Sequence, residues 1–285
     1  MGAMNRREFL LAGAGLSVAA ACGSKAKGGA TAVTDSTTTA AKAAFNLVVA
    51  SYIHVAGIDE RFTVALLNGE GTGPVALSAP VQITIDGAAV DAEIHQDSVP
   101  LPYLLVHHRF AQPGIVKVRA TFKGATSQAA LEVVAGHSLK VPYPGTPMIS
   151  TPSPTAANTL GVDPICTADP ACPLHEVSLD AALAEKRPTA VLFSTPARCQ
   201  SRLCGPVLDN LLAQRDAFAA QVRFVHVEIY KATTGDALSP TVDAYGLSQE
   251  PILFLAGADG VVRERLDNVF DRGEAKAALG RLVAG

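Results

Sequence analysis

The chain has 285 residues, enough for about two domains. Lys and Arg number 23 and Asp and Glu number 26, so the net charge of −3 provides no electrostatic reason to expect nucleic acid as a partner. Apolar residues make up 48% of the chain and charged residues 17%, a composition that excludes global disorder. No apolar run reaches the roughly 20 residues that a membrane-spanning helix needs.

The N-terminal residues have the pattern of an export signal. Arg6 and Arg7 precede an apolar stretch over 10–21 that is too short to span a bilayer. The run from Arg6 to Leu10 resembles a twin-arginine signal. Three alanines followed by Cys22 resemble a lipobox, in which a signal peptidase cuts before a lipidated cysteine. We therefore predict a signal peptide at 1–22 and a lipid anchor at Cys22 on the extracytoplasmic face of the membrane. Ordinary cleavage and secretion is the alternative.

Export also sets the redox environment of the remaining cysteines. Residues 23–44 are rich in Ala, Thr, Gly and Ser and are predicted to form a flexible tether. Outside the cytoplasm, cysteine pairs persist as disulfides. Of the five cysteines, the four beyond Cys22 form two close pairs.

Residues 45–136 have the pattern of an all-β domain. Apolar and polar residues alternate, as on a sheet with one face in water, and Asp86-Gly87 is a two-residue hairpin signal. Short strands are predicted at 45–51, 61–68, 81–85, 88–95, 103–110, 115–122 and 127–134. This pattern favours an immunoglobulin-like β-sandwich. We expect its histidines to be surface or half-buried residues, because the adjacent His107 and His108 point to opposite faces of a strand.

Two irregular segments follow. The linker at 137–160 holds five prolines within 141–154 and is predicted to form a stiff, extended spacer. The Cys/Pro loop at 161–177 contains Cys166 and Cys172, for which we predict a structural disulfide. Two alternatives remain open. Cys172-x2-His175 is half of a zinc-site pattern, although no second half with ligand spacing follows it, and the pair could exchange electrons with the other cysteine pair.

Residues 178–285 alternate between helix and strand. Ser178 is a predicted N-cap, and strands are predicted at 189–194, 222–229, 251–255 and 261–266. The first of them is a continuous apolar run, as expected of a strand that is buried on both faces. Asp271 and Glu274 have the spacing of a capping box for the last helix.

Three segments of this region resemble the thioredoxin family. A buried strand ending at Phe193 leads into a cysteine-bearing loop, and Pro206 to Asn210 resemble the segment that follows the thioredoxin cysteines. Glu250-Pro251-Ile252-Leu253-Phe254, followed by two glycines, resembles the family's segment with a cis-proline opposite the active cysteines. The resemblance covers about 100 residues. It implies an α/β thioredoxin-like fold and a cis bond at Glu250–Pro251, with Pro251 shaping a peptide-binding edge.

The cysteine loop departs from the family pattern. Cys199 and Cys204 form a widened C-x4-C in the preferred alignment, in which Cys199 attacks and Cys204 resolves. A helix N-terminus, Arg198 and Arg202 would favour the reactive thiolate. An alternative alignment matches the run from Cys204 to Val207 with the family's C-G-P-C and leaves the resolving position without a cysteine.

These observations predict an exported thiol–disulfide oxidoreductase that acts on extracytoplasmic protein thiols and disulfides. We expect it to need no cofactor, to hold no metal and to bind no nucleic acid. The competing hypothesis is a non-catalytic, surface-anchored binding or adaptor protein in which both cysteine pairs are structural disulfides. A copper-chaperone-like role using Cys199, Cys204 and His226 is a minor alternative.

Overall fold

Two kinds of architecture follow one another along the chain. The computed structural model describes residues 44–285, so Arg6, Arg7, Cys22 and the predicted tether up to residue 43 lie outside the described residues. Residues 45–134 form β-strands without a helix, and residues 179–284 combine four helices with four strands. Among residues 44–285, no helix has both the length and the apolar character needed to cross a membrane.

The β-strand region is a pair of sheets that share one core. One sheet has the order β1-β3-β7-β6 and the other β2-β9-β8-β4-β5. Phe62 and Val106 from the first sheet are buried with Ile83 and Val118 from the second. The strands are β1 (Phe45–Val49), β2 (His54–Val55), β3 (Asp59–Asn68), β4 (Gln82–Ile85), β5 (Ala88–Val90), β6 (Glu93–His95), β7 (Tyr103–Arg109), β8 (Gly114–Phe122) and β9 (Ala125–Val134).

Local sequence accounts for much of this arrangement. On β8, the buried Val116, Val118 and Ala120 alternate with exposed residues, as the period of a strand requires. Asp86 and Gly87 both have positive φ and join β4 to β5 in the predicted hairpin. The strand predicted over 88–95 is instead two short strands. β5 pairs with β4 in one sheet and β6 pairs with β7 in the other, so the chain crosses between the sheets at this point.

The second region is a mixed sheet between two layers of helices. The sheet order is β11-β10-β12-β13. β10 and β11 are parallel, whereas β12 is antiparallel to both of its neighbours. Its elements are α1 (Leu179–Ala184), β10 (Thr189–Phe193), α2 (Cys204–Phe218), β11 (Arg223–Val227), α3 (Pro240–Tyr245), β12 (Ile252–Ala256), β13 (Val262–Asp267) and α4 (Arg272–Ala284).

The two faces of this sheet carry separate cores. Every residue of β10 and β12 is buried, which explains their continuous apolar sequences. On one face, Leu192 packs with Leu208 of α2 and Leu279 of α4. On the other face, Phe193 packs with residues of α1 and α3. The second region is therefore a three-layer α/β structure.

The linker is not a free spacer. Pro147 pairs with Val261, and the Met148 N–H donates to the Gly260 carbonyl oxygen at 2.8 Å. Val141 and Met148 are buried in the core beneath α1 and α3. The prolines keep the segment extended, but its apolar side chains bind it to the α/β region, which the spacer prediction overlooked.

A buried polar interface joins the two regions. The Nε–H of Arg61 on β3 donates to Glu274 Oε1 at 2.6 Å, and both side chains are at most 6% exposed. The Tyr103 hydroxyl also donates to Glu274. Asp271 caps α4 by accepting the Glu274 N–H at 2.7 Å, as predicted. The reciprocal half of the capping box is absent because the Glu274 carboxylate faces Arg61 and Tyr103. Residues 44–285 therefore belong to one compact unit rather than to two domains separated by a spacer.

Candidate functional site

Cys199 and Cys204 form a disulfide with a Cα–Cα distance of 5.8 Å. A short 3-10 turn over Pro196–Arg198 leads to Cys199, and Cys204 is the first residue of α2. Cys199 is partly exposed, whereas Cys204 is fully buried. Cys199 is therefore the more exposed cysteine of the pair. The helix N-terminus lies at Cys204, although the sequence argument placed its effect on Cys199.

The Glu250–Pro251 segment lies beside the buried sulfur. The peptide bond between these residues is cis, the conformation that the resemblance implies. Glu250 Oε2 lies 3.5 Å from Cys204 Sγ. The structure therefore brings Cys199, Cys204 and the proline segment together, with a carboxylate next to the inner cysteine.

The predicted positive charge beside Cys199 is largely engaged elsewhere. The Arg198 guanidinium stacks on the Tyr230 ring at 4.0 Å and donates to the Gly235 carbonyl oxygen at 2.6 Å. Arg202 is exposed and has a φ of 59°. Arg198 therefore anchors the loop at 230–236. Its contacts do not support the predicted role of favouring the Cys199 thiolate.

The β-sheet region covers part of this site. Leu203, between the two cysteines, is 2% exposed and packs with Tyr103, Leu105 and Val269. The Tyr52 hydroxyl donates to the Glu250 carbonyl oxygen at 2.7 Å. The backbone carbonyl before the cis-proline is thus already bonded within the chain, which narrows the surface that a partner protein could use.

The second cysteine pair differs from its prediction. Cys166 and Cys172 are free thiols, each 8% exposed, rather than a disulfide. Their sulfurs face two buried histidines instead. Cys172 Sγ lies 3.3 Å from both His175 Nε2 and His226 Nδ1, and these two nitrogens are 3.2 Å apart. Cys166 Sγ lies 4.0 Å from His226 Nδ1.

These four residues, called here the Cys2His2 cluster, form a group that could hold a metal ion. Their ligand atoms all lie within 4.8 Å of one another, and all four residues are buried. The prediction that the chain holds no metal therefore missed this group. The structure also directs His226 to the pair at 166 and 172, away from the copper-chaperone arrangement with Cys199 and Cys204.

Neighbouring groups orient the cluster. His226 Nε2 lies 3.1 Å from the Ser194 carbonyl oxygen, an acceptor, so this nitrogen carries the hydrogen and Nδ1 presents its lone pair to the sulfurs. The Cys172 N–H donates to Cys166 Sγ at 3.2 Å. The backbone N–H of His226 donates to the Leu174 carbonyl oxygen, and this bond holds the Cys/Pro loop against β11.

Proximity also changes the acidity of the two thiols. Hydrogen bonding from the Cys172 side chain lowers the pKa of the Cys166 thiol, and His175 and His226 act in the same direction against the effect of burial. The hydrogen bond to Cys166, together with burial, raises the pKa of Cys172. The pair therefore loses a first proton readily and resists losing the second while no cation is near.

The cluster is connected to the disulfide loop through Thr167. The Thr167 N–H donates to Glu228 Oε1 at 2.6 Å, and the Thr167 hydroxyl oxygen accepts the Ala197 N–H at 3.1 Å. The loop that carries Cys166 therefore supports the turn that precedes Cys199.

His226 was named only as a possible copper ligand with Cys199 and Cys204. Its place beside Cys166 and Cys172 was not predicted, because it lies far from their loop along the chain. His226 completes the zinc-site pattern that Cys172-x2-His175 begins. It does so as a single residue on a strand and not as part of a second paired motif. The available signal was a histidine between two valines on β11, where a buried polar ring needs a partner. Within the described part of the chain, no other group of three or more His, Cys, Asp or Glu side chains could hold a metal ion.

No protein-family model and no curated protein matches the chain. Solved structures that match part of it include the Lin-41 filamin domain, at 14% identity over 33% of this chain and 98% of that chain, with a TM-score of 0.25. Titin M4 matches at 14% identity over 32% of this chain and 92% of that chain, with a TM-score of 0.20. The polysaccharide lyase BACCELL_00875 matches at 15% identity and a TM-score of 0.23, and the chain spans 12% of its length.

Proposed function

We propose that the chain is an exported thiol–disulfide oxidoreductase with a thioredoxin-like C-terminal region and an immunoglobulin-like β region. The observation that carries the proposal is the asymmetry of the disulfide. Cys199 is partly exposed, Cys204 is buried at the start of α2, and the cis Glu250–Pro251 segment lies beside them. The strand order and directions of the α/β region support the same assignment.

The exposed and buried sulfurs have different roles in this reaction. A thiolate of the partner protein attacks Cys199 Sγ, the Cys199–Cys204 bond breaks, and Cys204 leaves as a thiolate. A second partner thiolate then attacks the partner's own sulfur in the mixed disulfide and releases Cys199. Two electrons pass from the partner dithiol to the cysteine pair, and its two protons pass to solvent or to the released cysteines. Reduction of a partner disulfide follows the same steps in reverse.

Glu250 is the proposed proton acceptor for the inner cysteine. Its carboxylate oxygen lies 3.5 Å from Cys204 Sγ and is the side-chain group positioned to take the thiol proton when Cys204 attacks the mixed disulfide. Cys204 has no direct access to solvent because it is fully buried. A neighbouring acceptor is therefore needed for the resolving step.

The reduction potential of the full chain tests the proposal. The protein is equilibrated in glutathione buffers, and alkylation followed by mass spectrometry reports Cys199 and Cys204 separately from the other cysteines. A potential between about −270 and −120 mV is expected, and its value distinguishes an oxidant from a reductant. A potential below about −300 mV, typical of structural disulfides, would overturn the proposal.

Two matched variants test the assigned roles. Cys204→Ser leaves the exposed sulfur and is expected to accumulate a mixed disulfide with glutathione. Cys199→Ser leaves Cys204 as the only sulfur of this pair, and Cys204 is expected to form no mixed disulfide with glutathione. Equal adduct formation in both variants would contradict the roles given to the two cysteines.

A non-catalytic adaptor is the second candidate, and one observation favours it. The contacts of Leu203 and Tyr52 place the β region over the disulfide loop and the segment before Pro251. If these contacts block access, the disulfide only braces the interface between the two regions. Resistance of the Cys199–Cys204 bond to mild thiols in the folded chain would favour the adaptor.

The location of the protein is part of the proposal. Arg6 and Arg7 support export, and Cys22 supports attachment to the membrane by a lipid. Fractionation of expressing cells is expected to place the full chain with membranes and Cys22→Ala in the soluble exported fraction. Equal membrane association of the two proteins would contradict lipidation at Cys22.

A further inference from the structure

The Cys2His2 cluster has the dimensions of a tetrahedral metal site. With zinc bond lengths of about 2.3 Å to sulfur and about 2.05 Å to nitrogen, ideal tetrahedral edges are roughly 3.4 Å between nitrogens and roughly 3.6 Å between sulfur and nitrogen. The His175 and His226 nitrogens are 3.2 Å apart, and Cys172 Sγ lies 3.3 Å from each. Cys166 Sγ is 4.0 Å from His226 Nδ1. All six separations among the four ligand atoms are at most 4.8 Å, so the atoms are close enough together to share one ion.

The chemistry of the four donors favours a borderline-soft cation. Two sulfurs and two imidazole nitrogens are the donor set of structural zinc sites. Two thiolates would balance the charge of a divalent ion, so the occupied site would be neutral where all four residues are buried. Two thiols release two protons when such an ion binds, so charge and atoms balance.

The surroundings prepare the donors for this role. The Ser194 carbonyl oxygen holds the His226 ring so that Nδ1 faces the sulfurs, and the Cys172 N–H donates to Cys166 Sγ. Ring orientation through the outer nitrogen is the usual support of a metal-bound histidine.

We propose that Cys166, Cys172, His175 and His226 bind one Zn²⁺ ion in a closed, structural site. The ion joins the loop at 161–177 to β11 and, through Thr167, supports the turn before Cys199. It also holds Cys166 and Cys172 as thiolates, so this pair takes no part in disulfide exchange. The ion takes no part in the chemistry proposed for Cys199 and Cys204, and the zinc proposal does not require that chemistry.

Metal analysis of the full chain tests this proposal. The protein is purified without chelators, and one zinc per chain is expected to survive dialysis. Cys166 and Cys172 are expected to resist a thiol reagent in the folded protein. Removal of the zinc by a strong chelator should make two thiols reactive for each ion released, because binding and thiol protection have the same cause.

Variants separate this site from the disulfide. Cys172→Ser and His226→Ala are expected to lose the zinc, whereas the Cys199→Ser/Cys204→Ser double variant and His54→Ala, at another buried histidine, should keep it. Because ligand variants can fail to fold, Ser194→Ala provides a milder test. Loss of its hydroxyl, 2.9 Å from His226 Nε2, should weaken zinc affinity by roughly tenfold. Refilling the metal-free protein with Co²⁺ should produce the visible absorption of tetrahedral cobalt bound to thiolates.

Three results would overturn the proposal. These are a Cys166–Cys172 disulfide in metal-free, freshly purified protein, a different metal at one equivalent per chain, and full zinc retention in both ligand variants. The test does not depend on the redox proposal. The Cys199→Ser/Cys204→Ser variant has no redox pair and is still expected to bind zinc.

Discussion

The two cysteine pairs of this chain have nearly the same spacing and different chemistry. Cys199 and Cys204 are five positions apart and form a disulfide. Cys166 and Cys172 are six positions apart and are free thiols. The free pair has two histidine nitrogens against its sulfurs, whereas Cys199 has the Ser201 hydroxyl 3.2 Å away. The neighbours brought by the fold, and not the spacing, distinguish the two pairs.

The pairs also differ in their relation to the β region. The disulfide loop contacts that region through Leu203, so its access depends on the interface between the two regions. The Cys2His2 cluster is built from the Cys/Pro loop and β11, within the α/β region itself. Loosening the interface should therefore change the reactivity of the first pair and leave the second pair protected.

The largest effect is expected for Arg61→Met. Arg61 and Glu274 form a buried ion pair across the interface, and removal of one partner leaves a buried charge uncompensated. We expect a loss of about 3–5 kcal/mol in the free energy of unfolding, measured by urea denaturation. Reduction of Cys199–Cys204 by dithiothreitol should become faster, while Cys166 and Cys172 remain unreactive.

A surface arginine supplies the control for this variant. Arg109 pairs with Asp59 at 3.9 Å, and its side chain is 60% exposed. Arg109→Met should change the free energy of unfolding by no more than about 0.5 kcal/mol and leave the reduction rate unchanged. If Arg61→Met exposed both cysteine pairs equally, the distinction between them would fail.

A smaller effect is expected for Leu203→Ala. The substitution removes a buried side chain that the β region covers, and we expect a loss of about 2–3 kcal/mol in the free energy of unfolding. The disulfide should be reduced faster than in the unmodified chain because its covering contact is lost. Reduction kinetics at equal thiol concentration measure this difference.

Leu183→Ala is the matched control, because Leu183 is partly buried on α1 in the core on the opposite face of the sheet. It should reduce stability without accelerating reduction of the disulfide. Equal acceleration in the two variants would show that general loosening, and not the cover over Cys199–Cys204, controls access.

Local sequence was sufficient for most of the elements. The apolar run of β10, the Asp86-Gly87 hairpin and the Asp271 cap each depend on neighbouring residues, and the structure has them as predicted. The proline segment at 250 and the pair at 199 and 204 were instead predicted from the resemblance to the thioredoxin family. Periodicity, turn preferences and capping act over a few residues, so they can be recognised without knowledge of the fold.

The tertiary structure decided what these elements do together. The packing of the linker, the division of the strand at 88–95 between two sheets and the cover over Leu203 depend on residues distant in the chain. The state of Cys166 and Cys172 depends on His226, which β11 positions 54 residues after Cys172. By itself, the sequence determined the local elements and which cysteines and histidines are present. The fold decided their neighbours, because contacts between distant residues depend on strand register and loop closure and leave no local pattern.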